Sequence, residues 1–315
     1  MKLLRFLIDE MREPVLFLCI YRPTFSLLAS HQAQALGDAY YELRLEDLAL
    51  SEAQSMVESL LNTDQVPAEL KKFIQKKVEG NPFYLEEMIN SMIESGALIE
   101  GENGWQITRS IQDAEVSSTI QGVIAGRLDR LESKSKRILQ EASVIGRAFL
   151  YDILYSVTNM QDKLDKCLSG LERFQLIRPR SLEPDLEYIF KHALTQEVVY
   201  NGLLKKERRL IHERVGRVIE EVFHDRLPEF YESLAHHFAR GQSIDKAIDY
   251  LAKSGEKSLK RFALEEADQN YRIAFGLVVN QLDESDRKNE LVIDIILNWA
   301  LVFNCGLERW LGWAL

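Results

Sequence analysis

The stretch FQLIRPRSLEPDLEYIFKH (residues 174–192) decides the fold, because here the hydrophobic period changes. Before it, apolar residues recur at helical spacing. Within it, FQLIRPR (174–180) and LEYIFKH (186–192) read as two short strands about a turn at Glu183, Pro184 and Asp185. A lone two-stranded ribbon is marginal in water and must pack on something. The partners lie just upstream. Ile120, Val123, Ile124, Leu128 and Leu131 form one helical face, and Ile138, Leu139, Ala142 and Ile145 form the next, up to Gly146. Ile153 with Val157, then Leu164, Leu168 and Leu171, continue the series. Helices followed by a hairpin describe a winged-helix domain, spanning residues 116–225.

The helix expected to lead into that hairpin, DKLDKCLSGLERF (162–174), mixes Asp162, Asp165 and Glu172 with Lys163, Lys166 and Arg173. Mixed charge makes a poor phosphate-binding face, so this domain is expected to pack on protein rather than DNA. Lys205, Lys206, Arg208, Arg209 and Arg214 are the densest basic cluster, diluted by Glu207 and Glu213, and read as a solvated helix face.

Working toward the N-terminus, residues 46–115 read as a helical lid. Ala53, Met56, Val57, Leu60 and Leu61 form one apolar face; Leu70, Phe73, Ile74 and Val78 form another. Gly80 stops that helix, Asn81 suits an N-cap, and Pro82 suits the first turn of the next. The following helix shows Leu85, Met88, Ile89, Met92 and Ile93, and Gly96 ends it. GNPFYLEEM (80–88) is therefore a tight helix–turn–helix junction.

Residues 1–45 read differently. VLFLCIY (15–21) is a continuous apolar run of the kind found in a parallel strand covered on both faces. FLIDE (6–10) has the look of a magnesium-holding strand. Only four residues separate it from Val15, too few for a parallel crossover. Leu3, Leu4, Leu7 and Ile8 have helical spacing instead, so residues 2–11 are expected to end a helix, with Asp9 and Glu10 solvated. No G-x-x-x-x-G-K-[ST] occurs in the sequence, so it contains no backbone cradle for phosphates.

The C-terminal third, residues 226–315, is helical and weakly repetitive. Ala247, Leu251 and Ser254 repeat the spacing of Ala267, Tyr271 and Ala274. Small residues at such positions let paired helices approach closely, as in helical-hairpin solenoids. The run 291–302 is apolar but interrupted by Asp294 and Asn298, and is too short for a span of about 20 apolar residues; a buried helix is expected.

The chain of 315 residues carries a net charge of −10, which argues against a general nucleic-acid-binding surface. Three widely spaced cysteines, Cys19, Cys167 and Cys305, suggest neither a metal site nor a disulfide framework, and fit a reducing cytoplasm. No targeting or membrane segment is expected.

Together, VLFLCIYRP, KVEGNPFYLEEM, VIAGRLDRLESKSKRILQEASVIGRAF, YIFKHALTQEVVYNGLL and SLAHHFARGQSIDKAIDYLAKSGE resemble, in family order, the signal-transduction ATPases with numerous domains (the STAND class). The likeness is to bacterial members joined to cyclase, kinase or transcription-regulator domains. It implies a mostly α chain with a remnant strand of a P-loop ATPase sheet, a helical lid, a winged helix and TPR-like hairpins. It further implies N-terminal truncation, with the two phosphate- and magnesium-binding segments upstream. Arg22 matches the sensor position that reaches a terminal phosphate. Pro82 matches the proline beside adenine, with Gly80 and Asn81 shaping the turn, and His192 resembles a winged-helix histidine that contacts ADP phosphate.

The resemblance implies ATP or ADP with magnesium as the family's ligands, not held tightly by this chain alone. No catalytic or metal-ligating residue is expected within it. The partners implied are a missing N-terminal nucleotide-binding segment and proteins docking on the C-terminal helices. The expected function is the regulatory and sensor portion of an ATP-dependent switch. A plain interaction scaffold and a winged-helix DNA-binding regulator are the alternatives.

Overall fold

The computed structural model describes residues 6, 7, 10, 15–22, 24, 28, 34, 36–77, 80–102, 104–108, 117, 119–181 and 185–311, with side chains except at 76, 77 and 304–311. The chain divides into two units, Met1–Leu48 and Ala49–Leu315.

In the first unit Phe6, Leu7 and Glu10 are helical, in keeping with a helix there; the rest of residues 1–9 and 11–14 lies outside the described residues. The expected strand at 15–21 is absent. Residues 15–22 have no regular secondary structure, and Leu16, Leu18 and Ile20 are exposed by 90%, 83% and 89%. A strand buried on both faces needs ladder neighbours on either side. No strand among the described residues pairs with this segment.

The second unit is mostly helical. It opens with α1 (Leu50–Leu61), α2 (Ala68–Lys77) and α3 (Pro82–Glu94). Ala53, Val57 and Leu61 are the buried stripe of α1, while Leu60 at its edge is exposed; Leu70 and Ile74 are buried in α2. Asn81 caps α3 as its residue type dictates, its side chain accepting from the backbone N–H of Phe83 (3.0 Å) and Tyr84 (3.1 Å). Gly80 and Gly96, on either side of this helix, have φ of +80° and +68°, which glycine adopts without steric cost. A hairpin then forms from β1 (Leu98–Gly101) and β2 (Gly104–Ile107), pinned to the end of α1 by Trp105 Nε1 donating to Leu61 O at 2.9 Å. The sequence reading assigned no strands here.

Next come α4 (Ile120–Asp129), α5 (Ser133–Ile145), β3 (Ala148–Leu150), α6 (Tyr151–Val157), α7 (Leu164–Arg173), β4 (Ile177–Ser181) and β5 (Glu187–Phe190). The two strands expected around the turn pair antiparallel, with Ile177 opposite Phe190; Glu183 and Pro184 of the turn lie outside the described residues. A third short strand, β3, joins the far edge, giving the order β3–β5–β4. Ile124, Ile138, Leu139, Phe149, Leu168 and Phe190 form the core beneath this sheet.

The remaining helices are α8 (Ala193–Asn201), α9 (Lys205–Val222), α10 (Tyr231–Arg240), α11 (Ile244–Lys260), α12 (Leu264–Gln281) and α13 (Asp286–Leu311). From α9 onward each helix packs against the next in the chain. Their shared core includes Ile211, Val215, Phe238, Leu251, Tyr271 and Val278. Two glycines set the closest approaches. A Cβ on Gly216 of α9 would lie 2.8 Å from the Phe238 ring, and a Cβ on Gly255 of α11 would lie 2.8 Å from the Tyr271 ring. The repeated small positions Ala247, Ser254, Ala267 and Ala274 are all buried, as their spacing predicts.

The apolar run 291–302 is not a buried helix. Ile295 and Val302 face the core, whereas Ile293, Ile296, Leu297 and Leu301 are exposed, because α13 packs on one side only. Among the described residues no helix is long and apolar enough to cross a membrane.

Candidate functional site: the junction of α3 with the three-stranded sheet

The N-terminal turn of α3 meets the end of β5. Asn81 and Pro82 are exposed and Gly80 is buried; Phe83, the next residue, is half-buried. Its ring lies 4.0 Å from that of His192, centroid to centroid, at an interplanar angle of 33°. One turn further along α3, Glu86 places its carboxylate 2.5 Å from Lys191 Nζ and 3.6 Å from His192 Nε2. Lys191 also donates to Gln175 Oε1 at 2.5 Å. The segments carrying Gly80–Pro82 and His192, predicted as parts of one site, thus converge.

Burial holds the His192 imidazole below its ordinary pKa, aided by the charges of Lys191, Arg127 and Arg147 and opposed by Glu86. The ring is therefore neutral near pH 7. Its Nε2 is buried without a hydrogen-bond partner among the described residues. Only the Glu86 carboxylate, at 3.6 Å, approaches it, beyond hydrogen-bond reach.

The first turn of α3 has little to offer an anion. Asn81 already accepts the N–H groups of Phe83 and Tyr84, Pro82 has none, and Leu85 donates to Asn81 O at 3.1 Å. The helix N-terminus here is satisfied internally, so Asn81 and Pro82 shape the turn rather than supply phosphate donors.

Beneath this contact lies a charged cluster that the sequence reading did not single out. Arg127 of α4 is buried, its side chain 1% exposed. Its Nε donates to Glu94 at 2.9 and 3.1 Å, Nη1 to Glu87 at 2.5 Å, and Nη2 to Glu94 at 2.5 Å and to Phe174 O at 2.6 Å. One guanidinium thereby ties α3, α4 and the end of α7 together, using the planar fork that lysine lacks. Burial works against its charge, but Glu94 and Glu87 more than offset this and leave its pKa raised. Arg130 adds a bond from Nη2 to Ser91 Oγ at 2.7 Å. The signal was present: Arg127 falls on the buried face of Val123, Ile124 and Leu128, where an isolated charge would be too costly to keep.

Arg22 is exposed and belongs to the first unit.

A second polar cluster sits among the C-terminal helices. His212 Nδ1 and His237 Nδ1 are 2.9 Å apart, and Tyr200 Oη is 3.0 Å from His212 Nε2. Both histidines are 1% exposed, while His236 lies at the rim. Burial, with the nearby His236, Arg240 and Arg208, lowers His212 to about 3, and burial likewise keeps His237 neutral. His212 thus spends one nitrogen on His237 and the other on Tyr200, and among the described residues no His, Cys, Asp or Glu group is arranged to hold a metal ion. Glu213 closes the hairpin beside them. Its Oε2 accepts the backbone N–H of Gln242 (2.9 Å) and Ser243 (3.0 Å), and its Oε1 accepts Ser243 Oγ (2.5 Å). Burial opposes ionisation, yet these bonds hold the carboxyl at about 2.

No family model matches the chain. It is similar to the uncharacterized protein R02095 of Rhizobium meliloti (strain 1021), with 26% identity over 223 residues. The match covers 67% of this chain and 20% of that protein, so it spans about a fifth of the length of the curated relative.

Proposed function

We propose that this chain is the regulatory and sensor portion of a STAND-class, nucleotide-dependent signalling switch. In this reading α1–α3 form the lid, α4 to β5 the winged helix, and α9–α13 TPR-like hairpins that face a partner. The observation that carries it is the contact between Phe83, directly after Gly80–Pro82, and His192 at the end of β5. Two segments assigned by resemblance to the same nucleotide meet, and the buried Nε2 of His192 has no hydrogen-bond partner among the described residues. The element order of helices, a short strand, two helices and an antiparallel ribbon also supports the winged-helix reading.

A switch of this kind works only if ADP and ATP bind its two states with different affinity. The Arg127 cluster would hold lid and winged helix in one arrangement, and nucleotide at His192 would bias it. Without a phosphate loop in these 315 residues, independent hydrolysis is not expected.

Titration calorimetry of ADP and ATP, with magnesium, into the chain tests the reading. Absent or weak binding is expected. Micromolar binding abolished by Pro82→Ala would overturn the requirement for a separate phosphate loop. Salt-dependent binding to duplex DNA would favour a regulator instead.

A further inference from the structure

Helix α13 is apolar on two opposite sides. Ile295, Trp299 and Val302 pack toward the core of the hairpins. Asp294 and Asn298, one turn apart, line a groove beside α11. At 3.6 residues per turn, Ile293, Ile296, Leu297, Ala300, Leu301 and Phe303 fall on the remaining arc, and all six are exposed. The five large ones stand open by 45% to 62%. A helix apolar on both sides is ordinarily covered on both, yet this arc is open.

The open arc has the size and the pattern to meet itself. Five half-exposed side chains at roughly 100 Å² each leave about 500 Å² of apolar surface, the upper end of what a soluble monomer shows in one patch. Pairing two copies would bury about 1,000 Å², the lower bound for a specific interface. Within residues 293–303 the only ionisable side chain is Asp294, which lies off the arc. Two chains of net charge −10 can therefore meet here without like charges opposed across the seam. Ile293, Ile296, Ala300 and Phe303 follow the three–four–three spacing of a helix-pair seam. Run in the same direction, two such helices would set Ala300 against the partner's Ala300 and leave a void. Run in opposite directions, they set Ile296 against the partner's Ala300 and Ile293 against the partner's Phe303. A two-fold axis returns each contact, as a self-complementary interface requires.

We propose that two copies of this chain pair through α13, antiparallel about a two-fold axis, with Ile293 and Ile296 facing Phe303 and Ala300 of the partner subunit. Leu297 and Leu301 flank the seam and widen its apolar contact. A second copy is the occupant this face specifies. The face is uncharged, so it selects neither a basic nor an acidic partner, and its large and small positions complement one another in reverse order. The pairing needs no nucleotide and does not depend on the lid or on His192.

Sedimentation equilibrium of the full chain, nucleotide-free, tests this over roughly 1–100 μM, the range suited to an interface at the lower size bound. The mass should rise with concentration toward that of two chains and stop there. Ile296→Ala places alanine opposite alanine in both central layers and should weaken pairing about tenfold or more. Ala300→Phe adds apolar area but overfills the same layers, so it too should weaken pairing about tenfold; mere stickiness would strengthen it. Exchanging the two, Ile296→Ala with Ala300→Ile, restores one large and one small residue per layer and should return pairing to within about threefold. Leu204→Glu, at a residue 75% exposed outside the arc, should change nothing. The altered positions are exposed, so helical content at the lowest concentration should hold in every variant. A monomer throughout, stronger pairing by Ala300→Phe, no recovery on exchange, or equal weakening by Leu204→Glu would each overturn the inference. None of these outcomes depends on ADP or ATP, so the nucleotide reading stands or falls on the calorimetry alone.

Discussion

The guanidinium of Arg127 lies against the carboxylate of Glu94, its Nε 2.9 Å from one oxygen and 3.1 Å from the other, in an almost fully buried setting. Removing one partner of such a pair strands the other charge. Arg127→Ala should destabilise the second unit by about 3–5 kcal/mol, read from urea unfolding. Arg127→Lys should recover only part of this, since an ammonium cannot serve Glu94, Glu87 and Phe174 together. A loss below about 1 kcal/mol would show that the cluster does not hold α3 on α4.

His192 reports on the contact with Phe83. Its pKa is depressed chiefly by burial, so Phe83→Ala should raise it toward the ordinary value of about 6.5. Glu86→Gln removes the carboxylate that opposes the depression and should lower it further. Imidazole chemical shifts followed across pH distinguish the two. Movement in the same direction for both variants would contradict the geometry.

The helix approaches at Gly216 and Gly255 make a contrast with Gly170. Alanine at either of the first two meets an aromatic ring at 2.8 Å and should cost about 1–3 kcal/mol through overpacking. Gly170 of α7 has nothing within 4 Å of its added Cβ, so Gly170→Ala should stabilise by roughly 0.5–1 kcal/mol through helix propensity. Thermal unfolding of the three variants checks the order.

Stability should fall in mild acid. The folded pKa of His212 is about 3 and that of His237 is also depressed, while both return to about 6.5 on unfolding. The unfolded chain therefore binds more protons below pH 6.5, and the stability from keeping these rings neutral is lost as pH drops through 6 and 5 toward 3. His212 contributes about 2 kcal/mol of the loss between pH 7 and pH 5, and His237 adds to it in the same direction. Denaturant unfolding at those two pH values measures it. A flat profile would mean that the rings are protonated in the folded chain.

Glycine, proline and capping residues marked helix ends reliably, because their effect is local. Gly80, Asn81, Pro82 and Gly96 bound α3 where their chemistry places them, and the period change at residue 174 located the ribbon. β1, β2 and β3 were missed. They are only three or four residues long, too short for alternation to stand out from neighbouring helical patterns.

What the sequence alone determined is the helical character of the chain, the boundaries of its periodic segments, and the small-residue stripes that let α11 and α12 approach. Periodicity reports which face of an element is buried. It does not report against what. Only the tertiary structure decided that Arg127 meets Glu87 and Glu94 from another helix, and that Phe83 packs against His192. The same holds for α13, whose apolar run has one covered side and one exposed. It also left Leu16, Leu18 and Ile20 outside any sheet, since a strand exists only with neighbours to complete its hydrogen bonds. Those outcomes depend on pairings between distant segments, and no local stretch of sequence specifies its partner.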